Sequence, residues 1–439
     1  MSATTGLFVF LAAIIAAVVI GTKTKSNVGI AGIVFAFLIG TTAMGKSIAQ
    51  VVNYWPTSLL FMMMIVTFFY GYAAENGAIK GIADRLVYMS RNHLKLLPLI
   101  LYFITFAVAA IGAGAGAAPV IMSPIVFDLV TELGFNPVLA ILALSLGSLA
   151  GGIQAWTSSG ILFKGIAETF IGEELANASV WAYGVCLMVI PTLFVIICFL
   201  FLNRSFDPKS VDVKKPEPFT EKQKQTLWLI AAMMILVIVP VFMNMFVPNP
   251  ATKWFTSKFD IKVLSAIGIV AASALNLADT RVVIKNRIPW GTIIMVCGMS
   301  TLISLAVETG IADMMGSWLG SNMPKFMIVP MVILLAGLLS FITTGPAVIF
   351  PLFIPMFPAI SAATGISVVT LTAAVFAGSG ATGMSPFSQG GAMAVTGCKD
   401  EKLRESLWSK QLLFAFIYLA FNIVVALLGV YTMICSIFA

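Results

Sequence analysis

Four short stretches carry most of the polar chemistry that this sequence sets inside apolar surroundings. The first reads GAGAGAAPVIMSP, Gly112 to Pro124, and a glycine at every second position makes a poor helix within an otherwise helical run. Backbone that opens in hydrocarbon is tolerated only where protein or a water-filled cavity satisfies its amides and carbonyls. The second stretch reads TTGPAVIFP, Thr343 to Pro351, where a threonine can cap a helix whose first turn holds Pro346. A helix start offers free N–H groups and partial positive charge, so it binds a carboxylate without a basic side chain. No Lys, Arg or His lies deep in an apolar run, which leaves an anion to Ala117, Ala118 and Pro119 at one tip and to Thr343, Thr344 and Gly345 at the other.

The remaining two stretches are GGIQAWTSSG, Gly151 to Gly160, and GSGATGMSPFSQGG, Gly378 to Gly391. Opened carbonyls beside Thr157 and Thr382 give all-oxygen surroundings suited to a hard cation such as sodium. Gly116, Gly152, Gly345 and Gly380 complete that candidate sodium set, while Gln154, Ser158, Ser385 and Gln389 are further candidates for the anion. The alternatives are close helix packing through small residues, hydroxyls bonded back to their own helical turn, and ordinary interhelical hydrogen bonds. Glu75 and Glu308 stand at span ends beside glycine and read as interfacial turns. With no buried Asp, Glu or His, a proton relay lacks its titratable groups, so sodium coupling fits better. An enzyme is not expected, because His93 lies in a basic loop and the five cysteines stand singly. No cofactor is expected beyond sodium as the coupling ion.

The elements that must position these residues follow from composition. The chain of 439 residues is 60% hydrophobic and 10% charged. Charge-free runs such as Leu96 to Phe127, Leu175 to Asn203 and Phe326 to Cys398 reach or exceed the roughly 20 apolar residues that span a bilayer. The net charge of +7 sits in short loops, where it acts as a topology signal rather than a nucleic-acid footprint. Asn203 to Gln225, with six basic residues and three prolines, reads as a cytoplasmic linker. If the loop with Lys23 and Lys25 is also inside, both termini are periplasmic, and the long charge-free runs after Leu96 and Phe326 must enter and leave on one face as hairpins. Pro119 and Pro124 correspond to Pro346 and Pro351 at one offset, 346 − 119 = 351 − 124 = 227, and Gly151 and Ser158 meet Gly378 and Ser385 at the same offset.

The expected fold is therefore an all-α polytopic membrane protein with two inverted-topology repeats, about 10–11 transmembrane helices and two re-entrant hairpins. The first repeat spans 1–202, with a hairpin near 97–130 and a broken helix near 137–163; 203–225 is the linker. The second spans 226–439, with a hairpin near 326–360 and a broken helix near 366–398. That pattern belongs to secondary transporters, with the site where the repeats meet.

Phe61 to Arg91, the break at Ala117-Ala118-Pro119, and Asn136-Pro137 to Gly152 resemble the amino-terminal region of malonate and dicarboxylate carriers of the MatC type. Ile288 to Asp313 resembles the start of the second repeat of the divalent anion/sodium symporters, within the ion transporter superfamily. The resemblance implies a dimerising scaffold, hence a homodimer, and a moving transport domain in a bacterial inner membrane. It also implies a small dicarboxylate cargo of the malonate or C4 type. An antiporter or sugar-acid permease on the same architecture is the other reading. Symporters of that family carry Ser-Asn-Thr at each hairpin tip; here Ala115-Gly116-Ala117 and Ile342-Thr343-Thr344 stand in the comparable places, so only the second keeps hydroxyls.

Overall fold

The computed structural model describes residues 2–24, 26–90, 93–204, 215–246, 249–311, 314, 318, 322–341, 345–386 and 388–438, and among these it is helical without a strand. Among the described residues eight helices are long and apolar enough to cross a bilayer, beside shorter apolar helices of 10–17 residues. The fold is thus an all-α polytopic membrane protein.

Helices α1 (Ala3–Thr24) and α2 (Val28–Leu38) lead to α3 (Thr57–Glu75) and α4 (Ala78–Met89). Next come α5 (Leu97–Val108) and α6 (Gly114–Leu133), which form the first hairpin. Its turn rests on Gly112 and Gly114, whose φ angles of 142° and 69° are strained for any side chain. The first broken helix is α7 (Pro137–Gly152) followed by α8 (Ser158–Ile171), and α9 (Glu173–Leu202) closes this half.

After the linker come α10 (Glu221–Phe246), α11 (Ile261–Ala274) and α12 (Trp290–Glu308). The second hairpin runs from α13 (Lys325–Ser340) to α14 (Phe350–Thr364). The second broken helix is α15 (Val368–Ala381) followed by α16 (Gln389–Ala394), and α17 (Glu401–Leu427) brings the chain toward its end. Residues 205–214 of the linker and Thr343 and Thr344 of the second tip lie outside the described residues.

Helices α3 and α12 are packed together and run antiparallel. Each has 19 residues behind a proline, Pro56 or Pro289. Arg287 Nε donates to Glu75 Oε2 at 2.8 Å, so the end of α3 meets the start of α12. At the opposite end Lys46 Nζ donates to Glu308 Oε1 at 2.7 Å, and the Tyr54 hydroxyl also donates to Glu308. One offset, 289 − 56 = 287 − 54 = 308 − 75 = 233, relates the partners, so a single contact is made twice, once at each end of the bundle.

Hydrogen bonds gather the basic loops at one end. Asn27 Nδ2 donates to Gly291 O at 2.6 Å, Asn203 Nδ2 to Lys95 O at 3.0 Å, and Gln223 Nε2 to Asn76 O at 3.0 Å. Lys80 and Asp84 of α4 border one cavity with Asp128 and Glu132 of α6, and Asp128 pairs with Lys399 at 2.8 Å, so the exit of the first hairpin shares that end. The limbs of the second hairpin likewise begin and finish together, with Gly365 beside Lys325 Nζ.

The main core lies between the hairpins and the broken helices. Phe163 of α8 packs at 4.6 Å against Phe350 of α14 and at 4.9 Å against Phe376 of α15, where the Tyr183 hydroxyl of α9 donates to Phe376 O at 3.1 Å. A second core joins α1 and α2 to α12 through Phe10, Ala36, Met299 and Leu302. Gly29 and Gly298 cross there so closely that a Cβ on either would fall onto the other helix's backbone, the small-residue packing usual between membrane helices. By contrast α10 turns an apolar surface outward, with Trp228 77% exposed.

Candidate functional site

The site grows from the first hairpin turn. Because Gly112 and Gly114 make that turn, α6 starts at Gly114, whose own N–H donates back to Ala109 O, and the open N–H groups of the helix start belong to the residues that follow it in the first turn. Of these, Ala115 N–H donates to Ser159 Oγ at 3.4 Å, which docks the turn on the start of α8. The sequence reading set the tip at Ala117-Ala118-Pro119, three to five residues too late. Ala117 is exposed within the first turn, but Ala118 and Pro119 are buried inside α6. Pro119 has a different consequence there: lacking an N–H, it cannot give the Ala115 carbonyl its ordinary helical donor.

The first break presses against that turn from behind. A Cβ on Gly152 would fall onto Ala115 N, so only glycine allows the approach, and Ser158 Oγ sits where a Cβ on Gly114 would need room. Trp156 Nε1 donates to Ala110 O at 3.0 Å and the Tyr70 hydroxyl of α3 donates to Trp156 O at 2.7 Å, which pins the break to hairpin and frame. Thr157 is fully buried and caps α8, accepting from Gly160 N at 3.2 Å with its hydroxyl 2.8 Å from Gln154 O. Gln154 is 2% exposed and donates to Ala150 O at 2.6 Å and Gly184 O at 3.3 Å, so its amide joins helices behind the site.

The second break is built similarly. Ser388 caps α16 by accepting from Gly391 N at 3.0 Å, and its hydroxyl lies 2.6 Å from Gly383 O. Thr382 is fully buried and donates to Gly337 O of α13 at 3.3 Å; Ser385 is fully buried as well. Gly345 is buried against Ser379 and Phe350, at the start of the described part of the second hairpin's return. Gln389 begins α16, and its side chain lies outside the described set.

Where these parts meet there is a cavity of about 210 Å³. Ala115 and Gly116 of α6, Ser145 and Ser148 of α7, and Gly380, Gly383 and Gly390 around the second break border it, with Leu146, Leu149, Met384 and Met393 as its apolar side. Among the described residues no Lys, Arg or His borders it. Ser148 Oγ donates to Ser145 O at 3.0 Å, whereas Ser145 Oγ is buried and has no hydrogen-bond partner. Of the residues singled out from sequence, Gly116 and Gly380 line the cavity, and Gly152 and Ser158 buttress it. Gln154 and Thr157 are set back, occupied with backbone partners.

Ser145 and Ser148 escaped the sequence reading, although two hydroxyls three apart share one face of a helix otherwise built from Ala, Leu, Ile, Val, Gly and its opening Pro. Two charged groups escaped as well, because the first broken helix runs on to Ile171 rather than ending near 163. Lys164 has a side chain only 12% exposed and lies 3.9 Å from Glu173, and Glu168 Oε2 is buried without a hydrogen-bond partner. The expectation of no basic side chain and no buried carboxyl within the apolar helices is corrected by this pair.

Comparison with known proteins adds to the geometry. The profile for the amino terminus of the dicarboxylate carrier protein MatC matches residues 5–152, which takes in the first hairpin and all of α7. No curated protein matches the chain. The YdaH transporter of Alcanivorax borkumensis, described as having an unusual topology, is similar with a TM-score of 0.58 at 14% identity, covering 91% of this chain and 87% of that one. MtrF of Neisseria gonorrhoeae, described as illuminating a class of antimetabolite efflux pumps, gives a TM-score of 0.61 at 14% identity, covering 89% of this chain and 84% of that one. The chain is a multi-pass membrane protein of transporter fold, and its first third is similar to the amino terminus of a dicarboxylate carrier.

Proposed function

We propose that the chain is a secondary carrier, of the divalent anion/sodium symporter kind, that moves a small dicarboxylate of the malonate or C4 type with sodium by alternating access. The observation that carries the reading is the cavity between α6, α7 and the second break, with a helix start, glycine backbone and an unpartnered Ser145 hydroxyl and, among the described residues, no basic side chain. One water needs on the order of 10–15 Å³ of such space, so 210 Å³ has room for a small organic ion and is generous for a bare cation. A dianion without a basic partner is costly to desolvate, and co-bound sodium offsets that cost. In this reading the first-turn N–H groups of Gly116 and Ala117 take one carboxylate, and Thr343 and Thr344, in the corresponding stretch of the second hairpin, take the other. Carbonyls around Gly116, Gly152 and Gly380, with Thr382, hold sodium.

The hairpins and broken helices form the moving body, and α3, α10, α11 and α12 belong to a frame that dimerises in a bacterial inner membrane. The basic loops face the cytoplasm and both termini the periplasm. Proteoliposomes test the reading by counterflow with labelled malonate, succinate and gluconate. Malonate or succinate exchange that rises with external sodium is expected. Exchange of gluconate alone, or exchange driven by a pH gradient and indifferent to sodium, overturns it.

A further inference from the structure

Helix α3 faces two ways. Toward α11 and α12, Phe69 fills the place where a Cβ on Gly268 would need room, the Tyr72 hydroxyl lies 2.8 Å from Thr280 Oγ1, and Glu75 pairs with Arg287. Tyr70, between those two aromatic residues, turns the other way. Its ring sits where a Cβ on Gly112 of the first hairpin turn would fall, and its hydroxyl donates to Trp156 O at 2.7 Å. Trp156 Nε1 in turn donates to Ala110 O at 3.0 Å, so the buried Tyr70 side chain holds hairpin turn and break together against α3. These two parts set Ala115 and Gly116 at the border of the first cavity.

Where Gly165 of α8 comes against α3 it meets Leu59 and Met62, and the Thr67 hydroxyl donates back to Met63 O at 2.7 Å within its own helix. Among the described residues Tyr70 makes the one hydrogen bond from a side chain of α3 to the hairpins and broken helices. Trp156 O depends on it, because the Gly160 N–H that a continuing helix would offer this carbonyl donates to the Thr157 hydroxyl instead. We propose that Tyr70 is a positioning residue that works as a latch: its hydroxyl holds the hairpin turn and the break on the frame, and the moving body leaves this position only by breaking the bond to Trp156 O. The latch rests on the alternating-access reading given above. An apolar contact with an adaptable methionine lets α8 slide along α3 at little cost, so the polar bond sets the barrier to the first step. A bond made at rest and broken in passing slows that step, and its removal speeds it.

Exchange of labelled malonate or succinate by proteoliposomes of the full-length chain, at saturating cargo and sodium, tests the latch, with folding checked by thermal melt. Tyr70→Phe keeps the ring against Gly112 and removes the donor, so the maximal exchange rate should rise roughly three- to tenfold. A side chain that merely supported the fold would leave a slower carrier. Trp156→Phe, which breaks the link to Ala110 inside the moving body, should not speed exchange. A maximal rate unchanged or reduced in folded Tyr70→Phe overturns the latch. If wild type exchanges no cargo, the carrier reading itself fails, and the latch is read from hydrogen exchange of the purified protein: amides of 109–116 and 152–157 should lose protection together in Tyr70→Phe while α12 keeps its own, and unchanged protection overturns it. Should Tyr70→Phe fail to fold, a Leu59→Cys, Gly165→Cys variant whose two thiols are bridged by mercuric ion ties α8 to α3. Bridging, confirmed by loss of both free thiols, should stop exchange until excess thiol removes the metal, and exchange that continues in the bridged protein overturns the latch equally.

Discussion

Ser145 gives the sharpest test of the first cavity. A buried hydroxyl without a partner is a cost to the empty protein, so Ser145→Ala should leave the melting temperature unchanged or slightly raised. If the hydroxyl holds a charged ligand, the same change should weaken dicarboxylate binding by roughly ten- to a hundredfold in calorimetry at saturating sodium. A merely structural serine would behave the other way round. Ser148→Ala should cost less affinity, since that hydroxyl already has a backbone partner. Thr344→Val is expected to weaken binding over the same range as Ser145→Ala, and near-wild-type affinity in both variants would move the cargo elsewhere. The alternating glycines announced a break in the sequence, yet which of them turn the chain is decided by φ, and the turn came at Gly112 and Gly114 rather than at Pro119. Ser145 was not legible because its helix shows no break, and only packing reveals that one face of it fronts a cavity.

At the scale of elements, the close approach of α7 to the hairpin turn separates two glycines that look alike in sequence. A methyl on Gly152 meets the backbone nitrogen of Ala115, which cannot give way, so Gly152→Ala should lower stability by about 1–3 kcal/mol and abolish uptake. A methyl on Gly116 meets nothing within 4 Å, so Gly116→Ala should fold at least as well as wild type, helped by better helix propensity, and any loss of transport there reports on ligand space. Thermal melts and sodium-driven uptake on both variants check the contrast. The helix interruptions after Gly152 and Ala381 were legible from Gly inside charge-free runs. The far end of α8 was not, since nothing local stops it before Gly172, and the extra turns carried Lys164 and Glu168 into the bundle.

For the whole molecule, the gathering of basic loops at one end turns the orientation into a single measurement. All five native cysteines are buried, so an introduced one reports alone. A cysteine at Lys222 should resist an impermeant thiol reagent in intact cells, and one at Ser2 should react. The Lys46 ammonium is held above the ordinary lysine range by its hydrogen bond to Glu308 and then by Tyr54. A raised value in the folded state means the contribution is full below the ordinary lysine value and fades only as pH climbs through the raised one. Lys46→Met should therefore lower the melting temperature equally at about pH 6 and about pH 9. The doubled contact between α3 and α12 has a further consequence. A frame that reads alike when turned end for end gives neither side of the bilayer an advantage, so any directional preference must come from what the frame does not repeat, namely the unlike hairpin tips and the gradients across the membrane. The apparent KM should then differ between the two faces in liposomes of fixed orientation. Ala117→Thr, which makes the tips more alike, should draw the two values together, and a difference that it leaves untouched would place the asymmetry elsewhere.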